Sequence, residues 1–273
     1  MDEPAQTEKK KRRERDDAQV PAPAPAPLPL LYKSLRPLHL KEHAGLGLKT
    51  PASFSFAADV ATVPLLMGEI AAASRDYPII FSNDAVPVPI AILGLRKGQN
   101  LFVGANGGWR SAAYLPAYVR RHPFLLVSPK DSERKILAID EECPNLVKEG
   151  GTPLIVDGAP SELAQQAMRF CETFAAEEAK TREFTLALVH HDLLEPRTFT
   201  VALGTRKMTL KDLRVVAAKM FDELPDDLFL EWRRHNWLLP IYCHIQSAGN
   251  WQRLAQFAAN RASRRQKAAA DSD

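Results

Sequence analysis

Two short stretches set residues side by side that could do chemistry. HLKEH at 39–43 places two histidines four apart with a glutamate between them. That order is the inverted zincin pattern, in which both imidazoles bind zinc and the glutamate acts as general base. The chemistry needs a helix, because only there do positions i and i+4 share a face. Pro37 stands just upstream and AGLG follows at 44–47, so the segment is expected to be a polar loop and no metal is assigned. His190, His191 and Asp192 end a long helical pattern, where histidines complement the negative end of the helix dipole without any further role.

The densest mixture of arginine and aromatic residues is Trp109, Arg110, Tyr114, Tyr118, Arg120, Arg121 and His122. Guanidinium groups beside Tyr and Trp suit a carboxylate, a phosphate or a peptide partner. Part of this cluster lies in YLPAYVRRHPFLLVS at 114–128, which shares its design with ASRDYPIIFS at 73–82. Each is a helical run bearing Arg, a short step, then Pro and an apolar run. Arg75 aligns with Arg120, Tyr77 with His122 and Pro78 with Pro123. The candidate ligand- or partner-binding residues are therefore Arg75, Tyr77, Trp109, Tyr114, Arg120, Arg121 and His122. A second aromatic group, Trp232, Trp237 and Trp251 with Arg233, Arg234 and His235, reads as core packing. No nucleophile elbow, phosphate loop or dinucleotide-binding glycine signature is present. No catalytic residue and no cofactor is expected, and the protein reads as non-enzymatic.

Charge narrows the partners. The chain of 273 residues carries a formal charge of +3. Residues 1–20 hold six basic and six acidic side chains, and 251–273 hold five basic and two acidic. The body between them is neutral, which argues against a nucleic-acid-binding face. Cys143, Cys171 and Cys243 are far apart and odd in number, so reduced thiols are expected rather than a disulfide framework. The first twenty residues lack an apolar stretch of the signal-peptide kind, and the longest uncharged apolar run, VPVPIAILGL at 86–95, is too short to span a bilayer. A cytoplasmic location follows as an expectation, with export by a route independent of such a signal left open.

The elements that must position these residues follow from periodicity and breakers. Residues 1–30 read as a disordered charged tail and a Pro-Ala linker, PAPAPAPLPL at 21–30. A single α+β domain is expected over 31–257, followed by a frayed basic tail at 258–273. Strands are predicted at 46–50, 54–58, PIIFS, PIAILGL, LFVGA, FLLVS, KILAID and PLIVDG, with LGLRKGQNLFV as a hairpin. A short helix should cover 65–77 and stop before Pro78. From Pro160 a helical pattern runs to about 190, with Ser161 as its cap. TFTVAL and MTLKDLRVV form a strand pair, and helices at PDDLFLEWRRHNW, LLPIYCHIQSA and WQRLAQFAANRASRRQKAAA close the chain, the last fading into the frayed basic tail. The first half is strand-rich with short helices and the second helical.

LYKSLRPLHLKEHAGLGLK, VPLLMGEIAAASRDYPIIF, AILGLRKGQNLFV, GGWRSAAYLPAYVRRHPFLLV and LPIYCHIQSAGNWQRL together resemble the SapC family of bacterial proteins over residues 31–255. The segments with YPIIF and YLPAYVRRHPF are the most specific, combining aromatics, Pro and Arg in a fixed order. The resemblance implies an accessory protein associated with the bacterial surface-layer system, with a cell-envelope or secretion component as partner. It brings no catalytic residues with it. The alternative from residue chemistry is a protein, or an enzyme, that recognises a small anionic ligand through its arginine and aromatic residues.

Overall fold

A computed structural model describes residues 28–50, 52–128, 135–203 and 206–270. The predicted charged tail and most of the Pro-Ala linker lie outside the described residues. Strands dominate the first half and helices the second, an α+β arrangement. The larger sheet is antiparallel throughout. It contains β3 (Thr62–Pro64), β4 (Ile79–Phe81), β5 (Pro89–Ile92), β12 (Leu194–Leu203) and β13 (Arg206–Val216), in the order β12-β13-β4-β5-β3. The second sheet joins β1 (Leu35–Pro37), β7 (Ile136–Asp140) and β6 (Phe124–Val127). Two small pairings complete the first half: β2 (Gly47–Leu48) between β8 (Leu146–Val147) and β9 (Thr152–Pro153), and the hairpin β10 (Ile155–Val156) with β11 (Ala159–Pro160).

Each Pro corner launches a strand, fully buried after Pro78 and mostly half-buried after Pro123, and into different sheets. Pro78 opens β4 in the larger sheet and Pro123 opens β6 in the smaller one. The helices before them are α1 (Ile70–Ala73), preceded by a 3-10 turn at Met67–Glu69, and α2 (Ala117–Arg121). The helical stretch at 65–77 is thus shorter than predicted. Its last residues are held by side chains from the far end of the chain instead. Glu69, itself buried, accepts from Leu66 N at 3.0 Å and from Ala117 N at 2.9 Å, so one carboxylate starts both short helices.

Two predicted strands and one predicted hairpin are corrected. FSFAA forms a 3-10 turn, Ser55–Ala57, because its two rings serve different partners: Phe54 stands edge-on to Trp109 and Phe56 stacks on His122. A flat strand would hold both rings on one face. LFVGA makes only one bridge, Val103 to Trp109, and LGLRKGQNLFV is not a β-hairpin. Buried Asn100 takes over that segment, donating to Ala57 O at 2.9 Å and accepting from Phe102 N at 2.9 Å. The turn leaves no room for a side chain at Gly94, where a Cβ would lie 1.8 Å from Gln99 O.

The helix α3 (Glu162–His190) is the spine of the molecule, with Ser161 Oγ accepting from Ala164 N at its start. Its 29 residues reach about 43 Å at 1.5 Å per residue. Cys171, with Leu163 and Ala167, packs on Phe124 and Ile139 of the smaller sheet, while Phe184 and Leu188 sit in the main core. Burial of each such Phe or Leu is worth about 1.5–3 kcal/mol. After β13 come α4 (Ala218–Asp222), α5 (Asp226–Arg234), α6 (Leu238–Ser247) and α7 (Asn250–Ala270). Trp232, Trp237 and Trp251 are all buried; Trp232 meets Trp237 edge-on, and Trp251 lies against Phe199. The last predicted helix is present as α7 to Ala270, without the fraying expected from 258. Among the described residues no helix is long and apolar enough to cross a membrane.

Candidate functional site

HLKEH is a turn, and its second histidine faces inward. His43 Nδ1 accepts from its own turn's His39 N at 2.8 Å, which puts the ring proton on Nε2, 3.2 Å from Glu141 Oε1. Both nitrogens are committed. His190 and His191 end α3, where His191 packs edge-on against Trp232. Among the described residues no three His, Cys, Asp or Glu side chains gather as metal ligands would.

The seven predicted binding residues divide between two neighbourhoods. Around the first corner, Tyr77 is fully buried and its hydroxyl donates to Tyr114 O. Trp109 Nε1 donates to the Tyr77 hydroxyl at 3.2 Å and to Tyr114 O at 3.3 Å. Burial pushes the Tyr77 hydroxyl above the ordinary phenol range, so it remains a donor. Tyr114 is anchored through its backbone N–H to Asp76 Oδ2 at 2.9 Å, and burial, with Glu69 nearby, pushes its phenol up to about 12. Exposed Arg75 contributes its carbonyl, which accepts from Arg253 at 2.9 Å. Arg120 is exposed and donates to the Tyr114 hydroxyl at 3.3 Å.

Arg121 and His122 lie at the second corner instead. Arg121 is buried among Tyr32, Tyr118 and Phe174, with its guanidinium carbon 4.2 Å from the Phe174 ring centre. Nε donates to the Tyr32 hydroxyl at 3.2 Å, and no described carboxylate pairs with it. The aromatic faces supply the partial negative charge this cation needs. His122 is buried against Phe56 and pairs with Asp140 at 3.1 Å. Desolvation lowers its pKa from the ordinary histidine value, against the opposing pull of Asp140.

A cavity of about 820 Å³, with Trp109 in its lining, opens between loop 101–111 and α7. Its polar groups are Arg110, Ser111, Asn106, Asn260, Arg261 and Arg264, and its apolar floor includes Phe102, Trp109 and Phe257. None of the described residues lining it is acidic. Arg110 lies over the Phe257 ring at 3.7 Å, and Arg261 donates to Asn100 O. Desolvation, then the charges of Arg253 and Arg264, lower the pKa of Arg110. Like charges converge here, and an anion would relieve their repulsion.

Of the seven candidate site residues only Trp109 lines this cleft, together with Arg110 of the same Arg–aromatic cluster. Arg253, Phe257, Arg261 and Arg264 were readable as one stripe of a helix, spaced by four, four and three. Assigning the basic tail to fraying hid that stripe.

The SapC family model matches residues 38–254 of the 273-residue chain. No curated protein and no solved structure matches it.

Proposed function

The chain belongs to the SapC family, and on that premise we propose that it is an accessory binding protein for export or assembly of surface-layer or other envelope proteins. It works on the cytoplasmic side and grips an anionic group of its partner in the arginine-lined cleft. The observation that carries this reading is the convergence of Arg110, Arg261 and Arg264 on a cavity with no acidic lining residue among those described. Guanidinium forks recognise carboxylates and phosphates by two parallel hydrogen bonds. Phe257 and Trp109 add apolar area to what would otherwise be a purely ionic contact. Tyr77, Tyr114 and Asp76 serve by fixing Trp109 and the loop that bears it.

A second reading is a small anionic metabolite held for its own sake, which the cavity's size favours: about 820 Å³ lies in the ligand-pocket range of about 300–1,000 Å³. One experiment separates the two. Tagged full-length protein and an R110A/R264A variant are used for affinity capture from the native host, and both are titrated with citrate and inorganic pyrophosphate by calorimetry. Recovery of an envelope or secretion component by the unsubstituted protein, lost in the variant, supports the accessory role. Tight binding of a small anion with no such component recovered moves the assignment to a metabolite. Absence of both overturns the cleft as a binding site.

A further inference from the structure

The second corner assembles a group of three that no sequence motif announces. β6 and β7 are antiparallel with Phe124 opposite Ile139, so the residue before β6 and the last residue of β7 become neighbours. The backbone confirms this, with Asp140 N donating to Pro123 O at 2.9 Å. His122 Nε2 lies 3.1 Å from Asp140 Oδ2. The Asp140 carboxylate is further held by Ser34 N at 2.7 Å and Lys33 N at 3.2 Å. A carboxylate only accepts, so Nε2 carries the ring proton and Nδ1 presents a lone pair. Directly after β7 the chain turns back, Cys143 N bonding Asp140 O at 3.1 Å, and sets Cys143 Sγ 3.8 Å from that Nδ1. Asn145 N also donates to Sγ at 3.4 Å.

We propose that Cys143, His122 and Asp140 form a thiol–imidazole–carboxylate site that transfers small acyl groups from ester or thioester donors. Cys143 is the nucleophile, His122 the base, and Asp140 the positioning residue that fixes the imidazole tautomer. The Cys143 S–H proton passes to His122 Nδ1 as sulfur attacks the donor's carbonyl carbon. The bond from that carbon to the leaving alcohol or thiol breaks, and the leaving group takes the proton from Nδ1. The product is a thioester on Cys143. Water discharges it by the same route: its proton goes to Nδ1, its oxygen to the carbonyl carbon, and sulfur leaves to recover the proton.

Beside the three residues lies a cavity of about 190 Å³, lined by Cys143's chain neighbours rather than by Cys143 itself, with room for a short acyl donor. His122 and Asp140 line it with Lys33, Phe56, Glu142 and Pro144, the last two flanking Cys143 in the chain. Phe56 covers the imidazole face at 4.0 Å, while Cys143 itself is only 4% exposed, so the entry is narrow. Burial raises the Cys143 thiol pKa and lowers that of His122, leaving both neutral at rest. The proton therefore moves during attack, as for a hydroxyl nucleophile, rather than beforehand as in a preformed thiolate pair. Among the described residues neither Cys171 nor Cys243 hydrogen-bonds a histidine, although His244 follows Cys243 in the chain.

The test is p-nitrophenyl acetate added to the full-length chain, followed by phenolate release and peptide mass mapping. One equivalent of acetyl is expected on Cys143, retained in C171A/C243A and absent in C143A. The rate should rise with pH to a plateau reached near neutrality, where the imidazole is fully neutral. H122Q should lose about 100-fold and climb through pH 9 as an unassisted thiol does. Should H122Q fail to fold, the unsubstituted protein's pH profile decides: a plateau supports the site and a continued climb through pH 9 overturns it. Folded protein with Cys143 unlabelled, or H122Q matching it in rate and profile, also overturns the proposal.

Discussion

Arg253 of α7 reaches back to Asp76 at the first Pro corner, its Nη1 3.3 Å from Oδ1. The same Asp76 carboxylate accepts from Tyr114 N, and the same guanidinium donates to Arg75 O. One buried acid thus ties the corner, the Trp109-bearing loop and the last helix together. D76A should destabilise the fold by about 1–3 kcal/mol, because it strands the Tyr114 N–H. R253A should cost under about 1 kcal/mol, since its side chain is 43% exposed and solvent screens the pair. Urea unfolding of both variants checks the ranking, and equal losses would contradict it.

The tyrosine at the same corner gives a more local test. Y77F removes the hydroxyl that donates to Tyr114 O and accepts from Trp109 Nε1, while Trp109 keeps its own bond to Tyr114 O. A loss of about 1 kcal/mol is expected, with a change in Trp109 fluorescence read in a variant whose other tryptophans are replaced by phenylalanine. An unchanged midpoint would mean the hydroxyl adds nothing net.

The cleft should trade stability against binding. R264A removes one of the like charges acting on Arg110, so the melting temperature at low salt should hold or rise slightly. Pyrophosphate affinity should fall in the same variant, and the difference between the two proteins should shrink as salt screens the site. Parallel thermal-shift and calorimetric series at low and high salt would show it. A clear drop in melting temperature would assign Arg264 to the fold instead.

Two buried histidines set a direction for acid sensitivity. His244 accepts from Val216 N at 3.1 Å, and burial pushes its pKa down to about 3; His122 is lowered as well. Below the ordinary histidine value of about 6.5 the unfolded chain binds protons that the folded chain refuses. Stability is therefore complete above that value and falls as pH drops toward the depressed pKa values. Each histidine fully inside its window adds a slope of about 1.4 kcal/mol per pH unit. Urea midpoints at pH 7, 6 and 5 should decline, and H244Q should flatten the slope; a level midpoint across that range would refute the assignment.

Local chemistry made the helix and strand limits readable. Pro160 and Ser161 mark the start of α3, and Pro78 and Pro123 each open a strand. The strand pair at 194–216 shows in its apolar pattern. What stayed hidden depends on partners far away in the chain. Nothing near residue 100 tells that Asn100 will cap the turn at Ala57, or that Phe54 will meet Trp109 and Phe56 will stack on His122. Summing charges likewise locates nothing: Arg253, Arg261 and Arg264 belong to the basic stretch 251–273, and only the fold brings Arg110 of the neutral body beside them. Trp109 is among the residues singled out from the sequence, while the arginines facing it across the cleft from α7 lie in the part of the last helix expected to fray.

The reach of α7 also sets an order of events during synthesis. Asn250 donates to Ser74 O at 2.6 Å and Tyr77 O at 3.0 Å, and Ser247 Oγ, at the end of α6 just before it, accepts from Ile79 N at 3.1 Å. A ribosome makes those clasps some 170 residues after the corner they close. Until then the carbonyls of that corner face water, and β4 waits also for β13, its partner at Arg214. The nascent chain therefore carries an unfinished sheet for most of its translation, a period in which a holding chaperone has an exposed strand to bind.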